Sequence, residues 1–346
     1  MKKSTKILVN AFFNGFSHYS AVLPYNLNWM IENFKPIESF LEKNPLIIVD
    51  IGARWGNVDE IATLKKYTTW YGFEADPEEV QRLKKDPPTC FKKFEIFPYY
   101  IGDKNGKINF NLYKNKALSS SLPPNPRYQK TFGGTEFDIE DTVDMECMTL
   151  DSVIKNNNLE YPDLIKLDTQ GTELNILLNS PESLSNSLLI EVEVEFIEMY
   201  QGQYLFHDVL KFMYDNGFEL LYLNRVFGSR GEYKGVAKGQ ITFGDALFGR
   251  REDRLETLNL VKIAKYIILL INYGHLDFAF SLYKQYPSIK DLIPDIEAFF
   301  IINHRGKIFS LKKGVLMQLD KIICLLLYLR KTNQIECDSD RSYPIR

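Results

Sequence analysis

Apolar residues follow two rhythms along this chain, and the alternation between them lays out its organisation. Leu46-Ile-Ile-Val-Asp50 is a continuous apolar run closed by an acid, the pattern of a strand covered on both faces. Trp70-Tyr-Gly-Phe-Glu74, Asp163-Leu-Ile-Lys-Leu-Asp168 and Ser187-Leu-Leu-Ile-Glu-Val-Glu193 repeat it, each again ending on an acid. Between them the spacing predicts helices over 58–67, from Pro77 with Asp76 as N-cap, from Leu150 or Asp151, from Glu173, and over 204–215 with Gly217 at its C-terminal end. A further strand is expected at 94–101, turning through Gly102-Asp-Lys-Asn-Gly106 into the period-two run Lys107–Tyr113 as a hairpin. Phe218–Leu223 and Ile241–Gly249 complete the series, the last antiparallel because only a short connection precedes it.

The flanks break this alternation. Residues 1–44 read as a helical entry segment, 45–250 as the α/β unit, and 251–346 as a helical appendage suited to packing, capping or homo-oligomer formation. Inside the α/β unit, residues 114–142 carry Ser119-Ser-Ser121, Pro123-Pro124, Pro126 and Gly133-Gly134 without periodicity. A loop of that length in a compact domain is either disordered or functional, commonly a lid.

Composition removes several function classes. The 346 residues are 45% hydrophobic, enough for a large core, and the formal net charge of −3 comes with no basic stripe, so a nucleic-acid partner is not expected. Cys90, Cys147, Cys324 and Cys337 have no Cys-x-x-Cys spacing, so no metal is expected. Lys2, Lys3 and Lys6 precede a short apolar stretch, but Asn10 interrupts it and no small-x-small cleavage site follows; the chain reads as cytoplasmic. Tyr266–Ile271 and Ile322–Leu329 are too short to span a membrane, which leaves peripheral contact only.

The acids at strand ends carry the chemistry. Ligands of an open α/β sheet sit outside the carboxyl ends of its strands, where Asp50, Glu74, Asp168 and Glu193 are expected to gather. Asp50, in place of a compact Gly-x-Gly-x-x-Gly, turns the reading from a dinucleotide towards S-adenosylmethionine, since a sulfonium-bearing zwitterion is better met by carboxylates than by a phosphate cradle. Glu74 is placed to accept both ribose hydroxyls of an adenosine, and Gly52 and Gly56 let the first turn run close to a ligand. Arg54 suits a ligand carboxylate or an ion pair with Asp59 or Glu60, and Asp76 suits a ligand contact or a helix cap. Asp168 is the candidate proton acceptor for a hydroxyl undergoing methylation, Gln170 could orient the acceptor or the cofactor, and Glu173 is read as stabilising its own helix. Glu191, Glu193 and Glu195 share one strand face, with Glu193 the candidate second catalytic carboxylate; His207 is a candidate base or a surface histidine.

Together these pieces resemble the FkbM-type S-adenosylmethionine-dependent methyltransferases. The resemblance rests on Val49–Gly56, Gly72–Asp76, Ile101–Gly106, Ser119-Ser-Ser-Leu122, Leu164–Glu173, Ile190–Glu193 with Tyr200–Gln203, and Gly244–Phe248. It implies a Rossmann-like class I methyltransferase fold, with a seven-stranded mostly parallel sheet and an antiparallel last strand. It also implies transfer of a methyl group to a hydroxyl of a carbohydrate or natural product. Carried onto this chain, the cofactor would meet Asp50, Gly52, Arg54, Gly56 and Asn57 after the first strand and Glu74, Ala75 and Asp76 after the second. Ile101, Gly102, Ser120 and Asp168 complete that set, with Asp168 and Gln170 facing the transfer site. Two other readings stay open: a metal-assisted O-methyltransferase using Asp168 and Glu193, and a non-catalytic scaffold.

Overall fold

The computed structural model describes residues 34–300 apart from 57, 59–60, 231–238 and 298–299. Most of the entry segment, the basic N-terminus, Asn57, the Ile322–Leu329 stretch, Cys324 and Cys337 therefore lie outside the described residues. Helix α1 (Lys35–Lys43) leads into β1 (Leu46–Ile51), and β2 (Thr68–Phe73) is followed by α2 (Pro77–Lys85). The Asp76 side chain caps α2 by accepting from the Glu78 and Glu79 amides, with Pro77 in the first turn where its missing N–H costs nothing.

After β3 (Lys93–Phe97) the chain builds a separate small sheet from β4 (Tyr100–Ile101), β5 (Gly106–Tyr113) and β6 (Ile139–Met148). Helix α3 (Leu150–Asn156), β7 (Leu164–Leu167), α4 (Glu173–Leu178), α5 (Pro181–Asn186), β8 (Leu189–Glu195) and α6 (Phe206–Asp215) restore the alternation. The main sheet then closes with β9 (Phe218–Leu223), β10 (Val226–Gly228) and β11 (Gln240–Arg250). Helices α7 (Leu260–Asn272), α8 (Leu276–Gln285) and α9 (Ile289–Leu292) follow.

The main sheet runs β10-β11-β8-β7-β1-β2-β3, with β9 also paired to β11. Strands β1, β2, β3, β7 and β8 are mutually parallel, while β11 is antiparallel to β8, β9 and β10. This is a Rossmann-like sheet with eight strands where seven were expected, β10 being the addition. Strand order reverses between β1 and β7, so the carboxyl ends of these two strands flank the crevice where such sheets bind ligands.

Helices cover both faces. Ile47, Val49, Ile165 and Ile190 meet α3, α4 and α6 through residues such as Val153, Leu174 and Val209. On the other face Leu46, Ile48, Trp70 and Leu164 join α1, α2 and the C-terminal helices, with Ile263, Ile267, Leu270 and Leu282 fully buried among them. The described helices α7, α8 and α9 are thus packed onto the sheet as one of its layers. Its anchor is ionic: fully buried Asp163 accepts from Lys262 Nζ at 2.6 Å, Lys265 Nζ at 2.8 Å and the Ile47 amide at 2.9 Å. Removing both lysines, which would leave Asp163 as an uncompensated buried charge, is expected to cost about 3 kcal/mol.

Several elements differ from expectation. In the stretch expected as helix 58–67, the described residues form turns and a 3-10 turn at Lys65–Tyr67. Val58, Ile61, Leu64 and Tyr67 are buried at intervals of three, the spacing of a 3-10 turn, where every third side chain eclipses. The strand expected at 94–101 is broken at Pro98, which has no N–H to donate, and its two parts join different sheets. The hairpin is absent as well: β5 pairs antiparallel with β6, and β4 pairs parallel with the same strand. Residues 114–142 are not a bare loop, since they contain short helical turns and enter β6.

Candidate active site

A cavity of about 610 Å³ opens at the carboxyl ends of β1, β2, β7 and β8. Its first half is made by the turns that leave β1 and β2. Gly52 adopts φ +81°, and a Cβ there would stand 1.9 Å from the Asp168 carbonyl oxygen, so only glycine lets the β1 and β7 ends approach this closely. Asp50 is buried, 2% exposed, and lies in register with Lys166 of β7, which in turn aligns with Glu191 of β8. Glu191 accepts from the Tyr273 hydroxyl at 2.7 Å, tying this charged row to the end of α7.

Glu74 follows β2 and borders the cavity. Burial pushes its carboxyl up to about 7, although its Oε1 accepts from the Asp76 amide at 2.8 Å. Arg54 also lines the cavity and pairs with Asp76 at 3.3 Å. Asp76 therefore caps α2 and anchors Arg54 at once. Ala75, Tyr99, Tyr100 and Ile101 complete this side. Gly56 and Gly102 are buried without lining the cavity, and a Cβ on Gly56 would meet Leu83 at 2.7 Å.

The turn after β7 is pinned from within. Glu173 reaches back to accept from the Thr169 amide at 2.7 Å and the Gly171 amide at 3.1 Å, and its burial raises its own carboxyl. Ser120 is fully buried and donates to the Gln170 carbonyl at 2.8 Å, so it supports the turn instead of facing the cavity. Gln170 is held at φ +58°, an uncommon conformation for a residue with a side chain and one that clusters at functional sites. Its Nε2 donates to Asp168 Oδ1 and to Glu193 Oε2, both at 2.9 Å, and its Oε1 accepts from the Tyr200 hydroxyl at 2.8 Å.

The second half of the cavity is aromatic. Tyr128, Phe132 and Phe137 from the segment before β6 line it together with Met199 and with Phe243 of β11. Lys116 and Glu136 stand at its rim. Glu193 enters this half from β8; burial and the charges of Asp168 and Glu195 raise its carboxyl well above the ordinary range. Glu195, 2% exposed on the same strand face, is raised in the same way.

Of the residues expected from sequence, Asp50, Gly52, Arg54, Glu74, Ala75, Asp76, Ile101, Asp168, Gln170 and Glu193 meet around one cavity. His207 does not: its side chain is 76% exposed on α6, beside Asp208 and away from the cavity lining. Sequence reasoning missed Tyr100, Tyr128 and Phe243, and it gave no site role to Lys166, Trp55 and Tyr200, although these three lie inside the motif blocks quoted above. Lys166 also left a usable signal, a charge inside an otherwise apolar covered strand; Tyr100, Tyr128 and Phe243 left none, since their meeting depends on tertiary packing. Among the described residues, no three His, Cys, Asp or Glu side chains are grouped to hold a metal.

Comparison with known proteins bears on this geometry. Residues 50–220 match the family model described as the methyltransferase FkbM domain. The 2-O-methyltransferase NoeI of Sinorhizobium fredii is 28% identical over 176 residues, spanning 49% of this chain and 71% of that protein. A putative RNA methyltransferase from Pyrococcus horikoshii aligns at 12% identity and TM-score 0.31, covering 72% of this chain and 100% of its own. Magnesium protoporphyrin IX methyltransferase of Synechocystis, with bound SAM, aligns at 10% identity and TM-score 0.32, covering 72% and 98%. Likenesses that distant carry no argument, and the fold rests on the strand order described above.

Proposed function

We propose S-adenosylmethionine as the donor and a carbohydrate hydroxyl as the acceptor of this methyltransferase, whose residues 50–220 are a methyltransferase FkbM domain. The single observation that carries this reading is one cavity lined both by carboxylates and close backbone at the strand ends and by a packed cluster of aromatic side chains. The donor set fits the cofactor. Glu74, poorly solvated and able to accept two hydrogen bonds, suits ribose hydroxyls, and a cluster of acids suits a sulfonium. When bound, the cofactor supplies an electrophilic methyl group.

The chain's own residues then have separate tasks. Glu74 and the Gly52 turn hold the adenosine part, and Arg54 borders the space next to them. Asp168, with Oδ1 fixed by Gln170, has its second oxygen left to take the acceptor's hydroxyl proton as that oxygen is methylated. The aromatic wall of Tyr128, Phe132 and Phe243 gives flat apolar surfaces for the C–H faces of a sugar ring and excludes water from the transfer. This assignment treats residues 45–250 as the catalytic unit, with the flanking segments outside it.

Asp168→Asn in the purified enzyme tests the base. It is expected to keep cofactor affinity within about threefold while lowering kcat on the order of a thousandfold. Unchanged turnover would make Asp168 structural. Loss of one methylene from a glycan in a deletion strain, compared with its parent by mass spectrometry, would identify the acceptor; an unchanged glycan profile counts against a carbohydrate.

A further inference from the structure

Gln170 has no side-chain N–H left to donate to a substrate, and its oxygen shares the Tyr200 hydroxyl with the Leu118 carbonyl. Both hydrogens of its amide go to Asp168 and Glu193, and its oxygen takes the Tyr200 hydroxyl, so the side chain works as a clamp between two carboxyls. Two acceptors served by one planar amide nitrogen stand about 5 Å apart. Each carboxyl commits one oxygen to the clamp, Asp168 its Oδ1 and Glu193 its Oε2, and among the described hydrogen bonds the second oxygen of each takes no part. Both residues line the cavity beside the aromatic wall.

We propose that this pair reads a vicinal diol, with the reacting hydroxyl on Asp168 and its neighbour on the Glu193 carboxyl. The oxygens of such a diol stand about one hydrogen-bond length apart, so two carboxyls spaced by the clamp bracket them, each reaching its own oxygen from the outer side. The chemistry of the two positions differs as the task requires. Burial and the neighbouring charges of Asp168, Glu195, Glu173 and Asp245 raise the Glu193 carboxyl and so favour its protonated form, which can donate to the spectator oxygen, while Asp168 accepts from the reacting one. Apolar Tyr128 and Phe243 hold the ring that carries the diol. The inference rests on the reading of this cavity as the methyl-transfer site and adds the substrate class that the site selects.

The test uses two small ring alcohols as probes, the cis vicinal diol of cyclohexane and cyclohexanol, titrated into the full chain with S-adenosylhomocysteine in place. Binding of S-adenosylhomocysteine itself is measured first. The diol is expected to bind about tenfold more tightly than cyclohexanol, the worth of one further hydrogen bond to a carboxyl. Glu193→Ala should bring the two probes level, and Glu193→Gln, which keeps a donor at that place, should retain most of the preference. Equal binding of the probes by the wild type overturns the inference, as does no binding of either with the cofactor product bound, or a preference that survives Glu193→Ala. Failure of folded protein to bind S-adenosylhomocysteine at all would instead strike the methyl-transfer reading.

Discussion

The two halves of the cavity are built by different means. The cofactor half is built mainly from the carboxyl ends of β1 and β2 and the turns that leave them, so Asp50, Gly52, Glu74 and Asp76 are placed by the sheet itself. The acceptor half draws Tyr128 and Phe137 from irregular turns, Met199 from the connection after β8, and Phe243 from the antiparallel strand β11. What the first half recognises follows from short motifs, and what the second recognises follows from packing between distant parts of the chain. Asp168, Gln170 and Glu193 sit at the seam, where a clamp of three hydrogen bonds joins the halves.

If the halves are separable, substitutions should divide cleanly between cofactor and acceptor. Among substitutions read through binding, the largest effect is expected from Gly52→Ala. A methyl group there meets the Asp168 carbonyl and a φ that alanine avoids, so cofactor affinity should fall on the order of a hundredfold, read by calorimetry on protein shown to be folded by circular dichroism. Wild-type affinity in that variant would remove the Gly52 turn from the cofactor seat. A smaller change is expected from Phe243→Ala, which removes one apolar panel of the acceptor wall. The acceptor KM should rise about tenfold while cofactor affinity stays put, and a matching loss of cofactor affinity would mean that the halves are not separate.

The smallest effect is a pH dependence confined to the cofactor half. With the Glu74 carboxyl at about 7, cofactor affinity should weaken a few fold as pH falls from about 8 to about 6, because protonation removes an acceptor for ribose. Stability without cofactor runs the opposite way. Between the ordinary carboxylate value and about 7 the folded chain holds a proton that the unfolded chain has released, so Glu74 makes folding less favourable as pH rises through that window. Glu74→Gln should flatten both slopes, and a binding profile that keeps its slope in this variant would assign the titration elsewhere.

The same contrast governs how much the sequence discloses. Parallel strands covered on both faces must be apolar throughout, so β1, β2, β7 and β8 announce themselves, and the acids that end them mark the cofactor half. Strand β6 hides because its outer positions, Glu140, Asp144 and Glu146, are charged and exposed. Its inward alternation of Val143, Met145 and Cys147 was nonetheless present as a period-two signal that places it against Phe110. Val58, Ile61 and Leu64 resemble a helix face but sit at the interval of a tighter turn. The acceptor half is legible only in its Ser- and Pro-bearing segment, since no local pattern tells that Tyr128 and Phe243 will share a wall.

The most direct test of the account is a calorimetric titration of S-adenosylmethionine into the full chain and into Glu74→Ala. Saturable binding of one cofactor per wild-type chain is expected, with a loss of affinity on the order of a hundredfold in the variant and both proteins folded. Absence of binding by folded wild-type protein, or equal binding by the two, would contradict it.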